Sequence, residues 1–327
     1  MDSEKINQYK TVYNELYAAM KWKVSDSRTL MAIASIYVMS KKEFHFDAFL
    51  QLADRIKARA GFFSPMKSTS RFTTAATLDI KFDRPENQIN NLFILYDKLR
   101  KAKFSSGVYT YLAASTLLTH IDYRNNEEQM IVRAKEIYDG MKQEHPFLTS
   151  ASDYPLAVLL AYENHNDIIE QMERYYESLS KNGFRKGNDL QFLSHILSLD
   201  TNTSADRLVS RTTTIMDSFR DAGIRPKPMY YPIIGMLSLL PEEQFQMHGI
   251  SQMFDQLNNE KSFRWQKDMN LITAVSFYVN EKIDNKSLAA TTLQTTLESI
   301  LQAQQAVMIA TIASTTAATN AANNSTN

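Results

Sequence analysis

Apolar side chains return at three- and four-residue intervals along most of this chain, and the intervals are grouped into one repeating phrase. Tyr96-Asp97-Lys98-Leu99 with Phe104, Tyr176-Glu177-Ser178-Leu179 with Phe184, and Met216-Asp217-Ser218-Phe219 with Ile224 share an order of residue types. Each runs apolar, acidic, variable, large apolar, a polar or basic turn, then an apolar anchor. Looser copies begin at Tyr17, Ala53, Tyr138 and Phe254. The copies recur about every 40 residues, a period that indicates stacked helical hairpins, each unable to bury its apolar face alone.

Within a copy the first helix is amphipathic. Leu92, Leu95, Tyr96 and Leu99 fall at i, i+3, i+4 and i+7. The second helix is more uniformly apolar: Tyr111-Leu112-Ala113-Ala114-Ser115-Thr116-Leu117-Leu118 carries no charge. A helix apolar on most faces is one packed between neighbours.

The turn between the helices has its own chemistry. Gly183 and Gly223 stand where a helix needs a left-handed residue to stop. The following apolar residue then folds back on the last turn, Phe184 on Leu179 and Ile224 on Phe219. Phe104 and Leu99 keep that spacing with Lys103 at the stop, and Gly61 with Phe62 and Ile56 is read as similar. The Met141–Phe147 and Leu257–Phe263 pairs carry one extra residue. Pro226 and Pro228 extend the sixth connection, and Pro232 suits the first turn of the helix that follows.

The expected fold is therefore all-α: a right-handed α-solenoid of about seven tetratricopeptide- or pentatricopeptide-like hairpins. Residues 1–313 are read as one array, with residues 287–313 as a C-terminal capping helix. Residues 314–327 are Ala/Thr/Asn low complexity without charge and are expected to be disordered. Strand signals are poor, with no long alternating run and no Asn-Gly or Asp-Gly hairpin.

Composition narrows the function classes. Lys and Arg total 36, as do Asp and Glu, so the net charge is +0, which argues against a dedicated nucleic-acid binder. The chain has no cysteine, which removes disulfides, thiolate catalysis and cysteine zinc sites. The N-terminus has no apolar secretory core, and no run reaches the roughly 18 apolar residues of a span. A cytoplasmic location and no membrane insertion are expected.

Several residues resemble a known family. The stretches Arg71-Phe72-Thr73-Thr74-Ala75-Ala76, Tyr109-Thr110-Tyr111-Leu112-Ala113-Ala114 and Leu301-Gln302-Ala303-Gln304-Gln305-Ala306 resemble an uncharacterised Gram-positive bacterial family, domain of unknown function number four thousand and three. The resemblance would cover nearly the whole chain. It implies a bacterial cytoplasmic protein and brings no activity or site residues. Phe219-Arg220-Asp221-Ala222-Gly223-Ile224-Arg225-Pro226 separately resembles the helix-end phrase of pentatricopeptide repeats, whose period is shorter and whose face is basic.

No catalytic motif is present. The histidines, His45, His120, His145, His165, His195 and His248, form no His-Glu-x-x-His pair. His120-Ile121-Asp122 and His165-Asn166-Asp167 are short His-x-Asp strings, and the histidines are read as helix-end or surface residues. Neither a phosphate loop nor a Gly-x-Ser-x-Gly elbow occurs. Glu127-Glu128 and Glu242-Glu243 suit the positive ends of helix dipoles. No catalytic, cofactor or metal residue is assigned.

Cations instead recur in register at the turns. Lys21 and Lys23, Lys57 and Arg59, Lys98, Arg100, Lys101 and Lys103, Arg185 and Lys186, Arg225 and Lys227, and Arg264 and Lys267 all follow first helices. Cations belong at helix C-termini, which is the plainer reading. The functional alternative is a ridge for an acidic partner. Tyr109, Tyr111, Tyr154, Tyr230 and Tyr231 follow the turns and are read first as core. The candidate partner-binding set is Arg185, Lys186, Arg225, Lys227, Arg264, Lys267, Tyr109, Tyr154 and Tyr230. The expected function is a non-catalytic protein- or peptide-binding scaffold or regulator. An enzyme with a groove site assembled from several repeats, and an RNA-binding repeat protein, are the alternatives.

Overall fold

Each copy of the phrase begins inside the first helix of a hairpin. The computed structural model describes residues 2–120, 123–163, 167–284, 297–301, 303–304, 307–308 and 311–312. These form two compact units divided after Tyr123, with the described residues beyond Leu301 joining the first. All regular structure among the described residues is helical.

The first unit holds three hairpins: α1 (Asp2–Met20) with α2 (Ser27–Ser40), α3 (Phe46–Arg59) with α4 (Ser70–Lys81), and α5 (Ile89–Lys101) with α6 (Val108–Thr119). The second holds four: α7 (Tyr123–Glu144) and α8 (Tyr154–Ala161), α9 (Ile168–Lys181) and α10 (Asn188–Leu197), α11 (Ala205–Asp221) and α12 (Tyr231–Leu239), and α13 (Met247–Asn259) and α14 (Lys267–Asp284). Second helices pack on second helices. In the first unit α2 meets α4 and α4 meets α6; in the second α8 meets α10, α10 meets α12 and α12 meets α14. First helices neighbour first helices, α3 with α5 and α9 with α11.

That arrangement explains the two kinds of helix. Every residue of α8 is buried, and so is all of α12 except Pro232. The first helices bury one stripe, such as Ile168, Met172, Tyr175, Tyr176 and Leu179 in α9. Gly235 lets α12 close on α10, since a Cβ there would lie 2.7 Å from a methyl of Leu193 and 3.2 Å from Ile196.

Helix stops follow the local chemistry at three turns. Gly183 (φ 88°), Gly223 (φ 75°) and Lys103 (φ 72°) are left-handed. The next N–H in each case reaches back to the expected carbonyl: Phe184 to Leu179 at 3.2 Å, Ile224 to Phe219 at 2.9 Å and Phe104 to Leu99 at 3.1 Å. Six-to-one bonds of this kind satisfy a carbonyl that the helix end leaves open.

Two turns correct the sequence reading. Gly61 is not left-handed; α3 ends at Ala60, whose N–H bonds Ile56, and Phe62 is 85% exposed. Met66, from the short 3-10 turn that follows, is buried instead. Phe147 is likewise exposed, at 98%, while Thr149 turns inward and its hydroxyl bonds the Met141 carbonyl at 2.9 Å. Phe263, at the same spacing from Leu257 as Phe147 from Met141, is buried.

At the far ends of the second unit's hairpins, first-helix arginines take over. The Arg211 guanidinium donates to the carbonyls of Ser238 (3.0 Å) and Leu240 (2.9 Å), and that of Arg133 to Glu163 (2.6 Å). Both sit five residues before the start of their phrase, at Met216 and Tyr138. Cations at helix C-termini match the negative end of the dipole and cover open carbonyls.

The expected capping helix and the tail lie largely outside the described residues. Of the former, 297–301, 303–304, 307–308 and 311–312 are helical. Val307 packs with Val108 and Tyr109 against Leu112 of α6.

Candidate functional site

The turns of the second unit are bonded one to the next. Gln191, near the start of α10, donates to the Thr149 hydroxyl of the α7–α8 turn at 2.7 Å. The Arg185 N–H of the α9–α10 turn donates to the Tyr231 phenol at 2.9 Å, and the Phe184 and Tyr231 rings meet edge to face at 4.9 Å. Asp268, at the start of α14, accepts from Lys227 at 2.6 Å and from the Tyr230 phenol. Burial would raise the Asp268 carboxyl, but those two bonds outweigh it and hold it below its usual range; burial first, then Asp268, pushes the Tyr230 phenol up.

The candidate cations divide into two groups within this row. Lys186 pairs with Glu177 at 2.7 Å and Lys227 with Asp268, so both serve the fold. Arg185, Arg225, Arg264 and Lys267 are exposed. The Arg264 guanidinium lies 5.1 Å from the centre of the Trp265 ring, which is 82% exposed. The aromatic candidates are mostly interior. Tyr154 and Tyr230 are buried, and Tyr154 meets Tyr138 edge to face at 4.7 Å. Tyr109, in the first unit, is half-buried with its phenol 3.1 Å from the Thr311 hydroxyl.

A buried polar centre lies behind these turns, and the sequence reading missed it. His195 lies in the last turn of α10, a helix end as expected, but it is 1% exposed and not at the surface. Burial, and then the neighbouring His145, drives its pKa down to about 3, so the ring is neutral. Asp153 is also buried, and its pKa is raised to about 6 by that burial against opposing backbone hydrogen bonds. One Asp153 oxygen accepts the Ser150 N–H at 2.9 Å in a capping box; the other stands 3.8 Å from His195 Nδ1, too far for a hydrogen bond. His145 Nε2 lies 3.0 Å from Glu173 Oε1, and its ring is 4.4 Å from that of Tyr176. Ser150-x-x-Asp153 is the signal that could have placed the aspartate.

His195 and Asp153 are buried side by side without a hydrogen bond between them. The hydroxyls nearest in sequence to His195 serve their own helix, Ser194 donating to Gln191 O and Ser198 to Ser194 O. Among the described residues no hydroxyl donates a hydrogen bond to the His195 imidazole, as a nucleophile for acyl transfer would. No group of three or more potential metal ligands occurs among the described residues, and no described helix is long and apolar enough to cross a membrane. Of the His-x-Asp strings, Ile121, Asp122, His165 and Asn166 lie outside the described residues.

The most exposed large apolar side chains are all in hairpin turns. Among the described residues Trp22, Phe62, Phe63, Phe147 and Trp265 are 82–98% exposed; Val132 (56%), Ile94 (50%) and Tyr17 (43%) follow on first helices, and Met229 of the α11–α12 turn is 40% exposed. Bare rings of this size do nothing for the fold that carries them.

The chain belongs to the family described as protein of unknown function DUF4003, which it matches over residues 12–306. It is similar to the Bacillus subtilis (strain 168) protein named uncharacterized protein YeaA. The two are 38% identical over 293 residues, 89% of this chain and 88% of that one. The likeness read from three short stretches of sequence thus extends over most of the chain. No solved structure matches.

Proposed function

We propose that this member of the family is a non-catalytic interaction scaffold, built from tetratricopeptide-like hairpins as a right-handed α-solenoid, with the hairpin turns as its working edge. The observation that carries the reading is the pairing of bare apolar side chains with cations at those turns. In the second unit the exposed Trp265 ring lies beside the Arg264 guanidinium, which stands 5.1 Å from the ring centre. Large apolar and aromatic residues beside arginine are the usual anchors of protein recognition. The polar centre supports the same reading, because its His195 and Asp153 are closed to any substrate.

The partner's matching surface is acidic with apolar contacts. Arg185 and Arg225 make no ion pair among the described residues and are exposed, so both are available to it.

The test is affinity capture from a cell extract with the native chain and with an Arg185→Glu/Arg225→Glu variant. A discrete set of proteins held by the first and lost from the second, with equal melting temperatures, supports the scaffold. The same set on both, or a co-purifying small metabolite in its place, overturns it.

A further inference from the structure

The first unit carries a turn edge of different chemistry. Its α3–α4 connection opens with Ala60-Gly61-Phe62-Phe63-Ser64-Pro65-Met66, seven residues without a charge. Phe62 and Phe63 stand 85% and 94% exposed and meet only edge to face, at 5.0 Å and 88°. Cations are set back from this tip: Lys57 and Arg59 on the last turn of α3, Lys67 on the other side, all exposed. Residues 55–78 contain no Asp or Glu.

The neighbouring turns extend the pattern. Trp22, 90% exposed, is flanked by Lys21 and Lys23, and the Lys21 ammonium lies 5.6 Å from its ring centre. The last turn of α5 adds Arg100 and Lys101, and the α5–α6 turn adds Lys103, all exposed. These turns share one end of the unit. The Tyr37 phenol near the end of α2 bonds Asp79 near the end of α4 at 2.8 Å, so α2 and α4 run parallel and begin together. Ser64 of the second turn bonds the Tyr111 phenol, in the first turn of α6, at 3.0 Å.

We infer that this edge docks on an anionic lipid bilayer, with Phe62, Phe63 and Trp22 entering the interface and the cations meeting lipid phosphates. An apolar tip ahead of a collar of Lys and Arg repeats the order met on leaving a bilayer, hydrocarbon first and charged headgroups next. Aromatic side chains favour that boundary, and each Lys or Arg near an anionic leaflet adds attraction. Nucleic acid fits less well. It asks for cations along a groove and rings aligned to stack successive bases, whereas Phe62 and Phe63 stand at 88° to each other in a turn whose cations are set back from it. Docking of this kind is peripheral and needs no spanning helix. The inference goes beyond the scaffold reading and uses residues of the other unit, so either can fail alone.

The test uses the full chain and sedimentation with vesicles of phosphatidylglycerol and phosphatidylcholine, against vesicles of phosphatidylcholine alone. A Trp265→Phe background leaves Trp22 as the single tryptophan. Binding to the anionic vesicles, a blue shift of Trp22 emission and weakening at high salt are expected. Phe62→Ser/Phe63→Ser should lower partitioning about tenfold or more at an unchanged melting temperature, since both rings are already in water. Lys57→Glu/Arg59→Glu should do the same. Trp22→Ser supplies a second apolar variant should the double change disturb the fold. Equal binding to both vesicle types, no binding, or binding indifferent to the Phe62/Phe63 and Trp22 changes would each overturn the inference. So would tight binding of single-stranded RNA or polyglutamate by a chain that ignores anionic vesicles.

Discussion

The phenol of Tyr231, at the start of α12, accepts the backbone N–H of Arg185 at 2.9 Å, 46 residues earlier in the chain. The Arg185 N–H follows a helix stop, where no carbonyl of its own helix is in position. A side chain from the next hairpin completes that turn, and the adjoining Phe184 ring packs on the same tyrosine. Tyr231→Phe keeps the ring contact and removes the acceptor. A loss of about 1 kcal/mol is expected, read as a shift in urea midpoint at unchanged slope.

Gly183 and Gly61 should respond in opposite directions. Gly183 sits at φ 88°, so Gly183→Val should destabilise by about 1–2 kcal/mol or more. Gly61 has no positive φ, and a Cβ there meets nothing within 4 Å. Gly61→Ala should therefore be neutral or stabilise by about 0.4–1 kcal/mol. Melting temperatures of the two variants decide it; an unmoved Gly183→Val would place the stop elsewhere.

Arg211 bridges two helices by donating to the carbonyls of Ser238 and Leu240. Arg211→Met retains much of the apolar stem and leaves those carbonyls without their charged donor. A cost of about 1.5–3 kcal/mol is expected. Hydrogen exchange should report it first at the end of α12, before global stability falls.

The buried pair Asp153 and His195 should give opposed pH dependences. The Asp153 pKa is raised from 3.8 to about 6 on folding, so its contribution is complete below 3.8 and is lost as pH rises through about 6. The His195 pKa is lowered from 6.5 to about 3, so its contribution is complete above 6.5 and is lost as pH falls through about 3. Between about pH 4 and 6 the two slopes oppose each other. Asp153→Asn keeps an oxygen for the Ser150 N–H and removes one slope. Relative to the native chain, its stability should climb with pH across that window by up to about 1.4 kcal/mol per unit. Urea denaturation of both proteins at several pH values checks this; parallel curves would show that Asp153 does not titrate there.

What the sequence determined alone is whatever one or two helical turns can encode. The phrase around Tyr96, Tyr176 and Met216 placed the first helices, and the order Leu179-x-x-x-Gly183-Phe184 placed a helix stop, because those interactions close within six residues. The turn after Ala60 shows the limit. Phe104 comes five residues after Leu99 and is buried, whereas Phe62 comes six after Ile56 and is bare; Lys103 turns left-handed and Gly61 does not. Tertiary structure alone decided that His195 and Asp153 lie inside, that Tyr230 and Tyr231 join one turn to the next, and that Trp22, Phe62 and Phe63 face water. The stripe of a helix that meets its neighbour depends on how hairpins stack. Partners about 40 residues apart, such as Tyr230 with Asp268 and Tyr231 with Arg185, are brought together only by that stacking.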